Sequence, residues 1–515
     1  MSDRRTGLYL LAAVFVIAVC GLVYELIAAA LSSYLLGGSV TQFSIVIGVF
    51  LTAMGIGSYL TRFVEDKLVD TFIAVQVGIA FSGGMSAAVL LLVFAVTDVY
   101  LPVLIAVLML TGALVGMEIP LIIRIMRAGE ALRVTVSNVL ALDYLGALIA
   151  SCAFPVLFVP YIGLLRTSFI FGLINTAVAA VGLRVLGETT TRPKTLKTAI
   201  IAVGAVLGTG LVFSGAFTSF TETLMYQDNI ILTRQTPYQR LVVTRWREDL
   251  RLFIDGHLQF STVDEHRYHE SLVHPVVAAC RHPRRALILG GGDGMTAREV
   301  LKHPSIEHID LVDLDEEMIS LFRDRGRLAE LSDRALSNPK VSVHIDDAYK
   351  FLEKTRDSWD VILIDLPDPS NLSLGRLYTK SFYRLCGEHL AVTGCLATQA
   401  TSPFYAPDAF WCIVRTLEET PLGAGGRDRF RAYPYHVHIP SFGDWGFVAA
   451  TRGSIDPKTL VLDKNVRLKF LTESLLPTLF VFPKDVLPGP GISANRLDDQ
   501  ALVKYYRHGQ RRFGP

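Results

Sequence analysis

About seven apolar stretches precede Phe217 in this chain, each near the roughly 20 residues a helix needs to cross a bilayer, and none of that length follows it. They run over 8–30, 43–60, 72–96, 101–126, 139–159, 169–186 and 199–217. Hydrocarbon offers no water to backbone N–H and C=O groups, so such segments are restricted to helices or closed barrels. Residues 1–220 are therefore expected to form an α-helical polytopic membrane domain. Arg4 and Arg5 precede the first stretch as in a signal peptide, but its apolar residues continue past Cys20 and Gly21, so a retained span is expected.

Charges flanking the stretches bear on orientation. With the N-terminus inside, the inner connections carry Arg4, Arg5, Arg62, Lys67, Arg127, Arg133, Arg184, Arg192, Lys194 and Lys197, and the outer ones only Arg166, although these groups do not all alternate strictly. An odd number of spans would then place the rest of the chain outside. Either one stretch does not cross, with 199–217 and its Gly204, Gly208, Gly210 and Gly215 the candidate re-entrant segment, or the C-terminal part faces outward. Glu25, Glu118 and Asp143 interrupt the apolar runs, and a buried ionisable group there costs at least ~2.5 kcal/mol unless it meets a partner or water. They read either as polar ties through Tyr24, Tyr144 or Arg124, or as a path for cations. Gly55, Gly57, Gly112 and Gly116 are expected to let helices approach closely.

Beyond the apolar half, residues 221–264 alternate as short strands, LVVTRW, RLFIDG and HLQFS, with Asp255-Gly256 as a hairpin turn. Residues 265–455 then alternate strands with helical patterns, beginning with ALILGGGDGMTAREVL, and predict an α/β Rossmann-like, class I methyltransferase-like domain with a mainly parallel sheet. Residues 456–515 form an extension whose role cannot be read, although covering the site or touching a membrane surface, through Arg507, Arg511 and Arg512, are both open to it. A net charge of +1 gives no sign of nucleic-acid binding, and six cysteines without CxxC spacing read as buried thiols. The pairs His266/His269 and His436/His438 lack a matching set of Cys or acidic partners, so no metal centre is expected.

The acids of the α/β part fall at strand ends, where ligands of parallel sheets bind. Gly290, Gly291 and Gly292 permit close backbone approach while Asp293 projects toward the ligand. Asp313 follows about 20 residues later, the place of an acid that holds ribose hydroxyls. Asp346 and Asp347 end the third strand, and Asp365 and Asp368, in DLPDP, the fourth. A pyrophosphate-bearing cofactor would be repelled by so many carboxylates, whereas a cationic cofactor and a cationic substrate are attracted by them.

The stretches LFIDGHLQFSTVDEHRYHESLVHP, GGGDGMTAREVLKHP, VDLDEEMI, HIDDAYKFL and DVILIDLPDP resemble the polyamine aminopropyltransferases, or spermidine synthases, and the whole chain resembles their membrane-anchored bacterial branch. That resemblance implies transfer of an aminopropyl group from decarboxylated S-adenosylmethionine, a co-substrate rather than a prosthetic group, to putrescine or a related amine. Spermidine and methylthioadenosine would result. It implies Asp365 as catalytic base with Tyr268 beside it, and Gln239, Gly290, Gly292, Asp313, Asp347 and Ala348 on the cofactor. His269, Asp293, Asp368 and Gln399 would face the amine. It further implies a homo-oligomer in the cell (inner) membrane with its catalytic domain on the cytoplasmic side.

Three departures from the family pattern stand out: Leu372 where a proline is usual, Asp313 where Glu is common, and Phe442 in place of a tyrosine. Two other readings differ in kind. A methyltransferase would need positive charge for its cofactor's carboxylate, and a transporter or sensor would bind polyamines without turning them over.

Overall fold

The computed structural model describes residues 2–36, 39–97, 99–126, 132–226, 228–423 and 428–513. Arg127 lies outside them, as do the side chains of Arg4, Arg5, Arg511 and Arg512. The chain divides into two units, Met1–Ile230 and Ile231–Pro515.

The first unit is all helix: α1 (Ser2–Leu36), α2 (Ser39–Leu60), α3 (Leu68–Val96), α4 (Tyr100–Met126), α5 (Leu132–Ala153), α6 (Leu164–Val185), α7 (Pro193–Val212) and α8 (Ser214–Met225). Among the described residues seven helices are long and apolar enough to cross a membrane. α5 continues into a π-helical segment, Phe154–Ile162, at whose start Pro155 removes a backbone donor. α7 passes unbroken through Gly204, Gly208 and Gly210 and ends at Val212, so the 199–217 stretch breaks at Phe213, between α7 and α8, rather than at those glycines. Glycine costs such a helix only about 1 kcal/mol per residue, which tertiary packing readily overrides. α8 carries residues 221–225, so the β structure expected from Thr221 begins later, at Asn229.

Small residues set the α2–α4 crossing. A Cβ on Gly57 would stand 1.8 Å from the Ala113 carbonyl oxygen, and one on Gly116 would stand 2.1 Å from that of Met54. Gly112 faces Ala53 in the same way, whereas Gly55 faces open space. Polar ties cross the interior of the bundle. Gln76 of α3 donates to Glu118 of α4, Asn175 of α6 donates to Tyr24 of α1 (3.4 Å), and Ser168 donates to the Gly83 and Gly84 carbonyls (2.8 Å each). Glu118 is thus held by Gln76 rather than by the expected Tyr24, Tyr144 or Arg124. Arg124 instead donates to the Thr61 carbonyl, and Tyr144 is exposed.

The second unit opens with a four-stranded sheet, β1 (Asn229–Gln235), β2 (Arg240–Trp246), β3 (Asp249–Ile254) and β4 (His257–Ser261), paired in that order. Asp255 and Gly256 both take positive φ (49° and 82°), the geometry of the two-residue turn that their identities predict. After α9 (Glu265–Ala279) come five parallel strands, β5 (Arg285–Gly290), β6 (His308–Asp313), β7 (Val341–Ile345), β8 (Trp359–Asp365) and β9 (Leu390–Gln399). An antiparallel pair, Arg431–Ile439 and Gly443–Thr451, extends the sheet beyond β9 to seven strands. No helix separates the two strands of this pair, so a reading based on strand–helix alternation passes over it.

Residues 456–515 are part of this unit. Buried Glu270 accepts the backbone N–H groups of Lys469, Phe470 and Leu471 at 2.6–2.9 Å. Buried Asn495 donates to the carbonyls of Gly375 (2.9 Å) and Tyr378 (3.2 Å) and accepts from the Leu502 N–H (3.3 Å).

Candidate active site

Strand order places the site. The chain runs β5–β6–β7 toward one edge and returns to lay β8 and β9 on the other side of β5, so the direction reverses between β5 and β8. Open parallel sheets bind ligands at that reversal, beyond the strands' carboxyl ends. Register sets Gly290 opposite Asp365 and Asp313 opposite Ile345.

The glycine turn is built against Asp365. Gly290 has φ +86°, and a Cβ on it would fall 2.0 Å from the Asp365 carbonyl oxygen. That oxygen accepts the Gly291 N–H at 3.0 Å. A Cβ on Gly292 would meet the Asp313 carboxylate at 2.6 Å, and the Gly292 N–H donates to that carboxylate at 3.1 Å. Close approach is therefore required, as the sequence suggests, but the partners approached are the protein's own Asp365 and Asp313.

Two hydroxyls aim the Asp365 side chain. Tyr268, on α9, donates to Oδ1 at 2.8 Å, and Thr296, the second residue of the helix Met295–Leu301, donates to Oδ2 at 2.5 Å. Thr296 was not among the residues singled out from sequence, because a threonine two positions past a glycine turn carries no distinguishing signal. Both hydroxyls fix the carboxylate and leave further lone pairs on it for a proton.

Asp293 lies beside this pair, buried, with Oδ1 accepting the Met295 N–H at 2.9 Å. Asp313 also accepts the Asp315 N–H at 2.9 Å. Gln239 does not reach Asp313. Its amide donates to Asp315 at 2.9 Å, where Thr236 also donates at 2.9 Å, so Gln239 and Asp315 form a tie between the β1–β2 turn and the β6 end. The second acid of VDLD was the available signal for Asp315.

Asp347 caps the helix Ala348–Lys354, accepts the Lys350 N–H and is ion-paired with Arg376. Its carboxylate is thus already engaged, and Ala348 stands next to it as the first helical residue. Asp368 lies in the loop after β8 and accepts the Tyr506 hydroxyl at 2.9 Å and, at 3.5 Å, that of Thr401 on Oδ2. Gln399 donates to the Leu366 carbonyl (2.8 Å) and the Tyr378 hydroxyl (2.6 Å) and accepts the Thr401 N–H (2.9 Å). Its amide holds the Asp368 loop in place. Phe442 stacks edge-on against Tyr268 at 6.3 Å, and Leu372 opens a short helical turn capped by Asn371.

Burial pushes Asp313 up to about 7 and Asp293 up to about 6, the latter against the pull of neighbouring His269. Burial also raises Asp368 to about 6, despite the hydrogen bonds from Tyr506 and Thr401 and the nearby Gln399 amide. His269 moves the other way. Burial disfavours its charge, but the hydrogen bond and charge of Glu265, with Asp293 and Asp365 beyond, hold it at about 9. Glu265, despite burial, is lowered to about 2 by His269 and Arg298. The His269 ring donates to Glu265 at 2.8 Å, and Arg298 joins Glu265 to buried Glu299. His269 is thus tied into a buried network with Glu265 and Arg298, beside the acids of the site.

These shifts predict opposite pH trends for folding and for ligand binding. Acids raised in the folded state contribute stability that is complete below about 4 and lost as pH climbs through 6 to 7, and His269 loses its share as pH rises through 9. Glu265 loses its share only as pH falls from about 4.5 toward 2. The ligand-free protein should therefore melt at a higher temperature at pH 6 than at pH 8.5, while its affinity for cationic ligands weakens as pH drops from 7 to 5.5. Melting curves at the two pH values with and without amine check this; a melting temperature that rises steadily to pH 8.5 would refute it.

Residues 265–453 match the spermine/spermidine synthase domain. The chain is 44% identical to a polyamine aminopropyltransferase of Leptospira interrogans over 98% of both chains. It is 46% identical to polyamine aminopropyltransferase 2 of Ralstonia nicotianae, again over 98% of both. Half of the chain overlays 87% of a crystallised spermidine synthase in complex with the transition-state analogue AdoDATO, at 28% identity and a TM-score of 0.45.

Proposed function

The chain belongs to the spermine/spermidine synthase family and is an aminopropyltransferase, and from that premise we propose that it transfers the aminopropyl group of decarboxylated S-adenosylmethionine to putrescine, giving spermidine and methylthioadenosine. The observation that carries this reading is the Asp365 carboxylate, aimed by Tyr268 and Thr296 at the β5–β8 reversal and surrounded by Asp293, Asp313 and Asp368.

A sulfonium is already a good leaving group, so the protein's work is alignment and proton removal. The amine nitrogen attacks the propyl carbon bonded to sulfur. The C–N bond forms as the C–S bond breaks, and the bonding pair stays on sulfur to give the neutral thioether. The proton of the new ammonium passes to Asp365. On this reading Asp313 holds the ribose of the co-substrate, and Asp347 with Ala348 borders its adenine once Arg376 yields. Asp293 and Asp368 take the cationic amines. An acid at Asp293 also repels a co-substrate that still carries its carboxylate, which separates aminopropyl transfer from methylation.

We propose further that six of the long helices span the cell membrane while α7 is re-entrant or interfacial, so that with the N-terminus inside the catalytic unit faces the cytoplasm, and that the protein is a homo-oligomer. The apolar length of the helices supports the first of these.

The test is release of methylthioadenosine by the detergent-solubilised full chain given decarboxylated S-adenosylmethionine and a panel of diamines, with Asp365→Asn as control. Release that depends on putrescine and on Asp365 is expected. Amine binding without turnover across the panel would overturn the assignment in favour of a transporter or sensor.

A further inference from the structure

The segment after residue 453, beyond the matched synthase domain, supplies a side chain to the site. Tyr506 lies on the last helix, Ala501–Phe513, and its buried hydroxyl donates to Oδ2 of Asp368 at 2.9 Å. Gln510, one turn on, donates its amide to the same tyrosine oxygen at 3.1 Å. With its lone pair so engaged, the hydroxyl has its proton directed at Asp368, and donors chained in this way reinforce one another. Tyr506 remains a donor throughout the working pH range, because burial and the adjacent Asp368 raise it well above an ordinary tyrosine.

The other oxygen of the same carboxylate, Oδ1, is shut off from solvent and has no hydrogen-bond partner among the described residues. A buried carboxylate oxygen left in that state costs free energy unless a ligand satisfies it. Asp368 is within electrostatic range of Tyr268, the residue that aims Asp365. The last helix is also built onto the Asp368 loop. A Cβ on Gly375 would stand 2.5 Å from Val503 and 2.6 Å from Gln500, and Asn495 clamps the Gly375 and Tyr378 carbonyls.

We propose that Tyr506 is a positioning residue for the amine acceptor: by holding Oδ2 of Asp368 it turns Oδ1 to receive an ammonium group of the diamine. The inference rests on the aminopropyltransferase reading and extends it, because it assigns part of acceptor recognition to a segment outside the synthase domain. Removing the hydroxyl leaves the ring to pack the helix but frees the carboxylate to turn and favours its protonated form. The acceptor should suffer and the aminopropyl donor should not.

Steady-state kinetics on the full chain test this. Tyr506→Phe should raise the KM for putrescine about tenfold or more, the scale of one hydrogen bond to a charged group. Its kcat at saturating amine and its KM for decarboxylated S-adenosylmethionine should stay within about twofold of wild type, a split that a merely loosened helix would not give. Gln510→Ala should move the same KM in the same direction by less, and Lys504→Ala, exposed on the same helix, should move nothing. An unchanged putrescine KM in Tyr506→Phe, or parallel losses in kcat and in the donor's KM, would overturn the proposal.

Calorimetric titration of putrescine into wild type and Tyr506→Phe separates this inference from the reading beneath it. If no amine is turned over by wild type, the catalytic assignment fails, yet tenfold weaker binding to the variant still upholds the role of Tyr506. Equal affinities, or no binding to either protein, overturn it.

Discussion

Asp365→Asn is expected to lower kcat by about 10²- to 10⁴-fold, the range that a positioned general base contributes, with little change in either KM. Asparagine has the shape of aspartate and can still accept the Tyr268 hydroxyl through its carbonyl oxygen, but its amide nitrogen cannot accept from Thr296 as Oδ2 does at 2.5 Å. The substrates should therefore still bind while the reaction lacks a proton acceptor. A thermal melt close to that of wild type would show that the loss is chemical. Retention of more than a tenth of the wild-type rate would remove Asp365 from the role of base and direct attention to Asp293, a buried acid within electrostatic range of it.

Gly290→Ala should damage both stability and rate, and by more than its single methyl group suggests. A left-handed backbone costs a residue with a Cβ about 1–2 kcal/mol, and here the new atom would also lie 2.0 Å from the Asp365 carbonyl oxygen. Something must move, and the atom in the way is the backbone of the proposed base. Displacing a reacting group by about 1 Å can cost on the order of 10²-fold in rate. Gly256 supplies the control. It has φ +82° with nothing within 4 Å of an added Cβ, so Gly256→Ala carries the backbone strain without the collision. The melting temperature should fall further for Gly290→Ala than for Gly256→Ala, and kcat should collapse only in the former. Equal melting shifts with wild-type kcat in both would show that the strand end adapts and that the glycine turn is not what seats Asp365.

The proposed site was largely legible because the acids and glycines sit where continuous apolar runs stop. ALILG, IDLVD and DVILID each end at a ligand-facing strand end, and the reversal of strand order then gathers Gly290, Asp313 and Asp365. Partners that act across long sequence separations were not legible. Thr296 reaches Asp365 from a helix with no local mark, and Tyr506 reaches Asp368 from a polar extension 138 residues away. The protein partners of Gln239 and Gln399, Asp315 and the Leu366 carbonyl, were likewise not legible, since an amide's contacts depend on which oxygens the fold brings near. The α-helical half was legible in extent. Its finer features were not, because a run such as 199–217 does not mark in its composition that Gly204, Gly208 and Gly210 ride within α7 while the helix breaks at Phe213.

The reversal at β5–β8 also divides the gene. On the proposed roles, the groups that hold the adenosyl co-substrate, from Gln239 to Ala348, are encoded before β8. The loop of Asp368 and its support by Tyr506 are encoded after it. A chimera of two relatives joined between the helix Ala348–Lys354 and Trp359 would inherit its donor chemistry from one parent and its acceptor preference largely from the other. It need only keep a tyrosine and a threonine at positions 268 and 296 to seat the second parent's base. Acceptor choice in such a lineage can drift by recombination at a single junction, without re-solving the binding of the sulfonium.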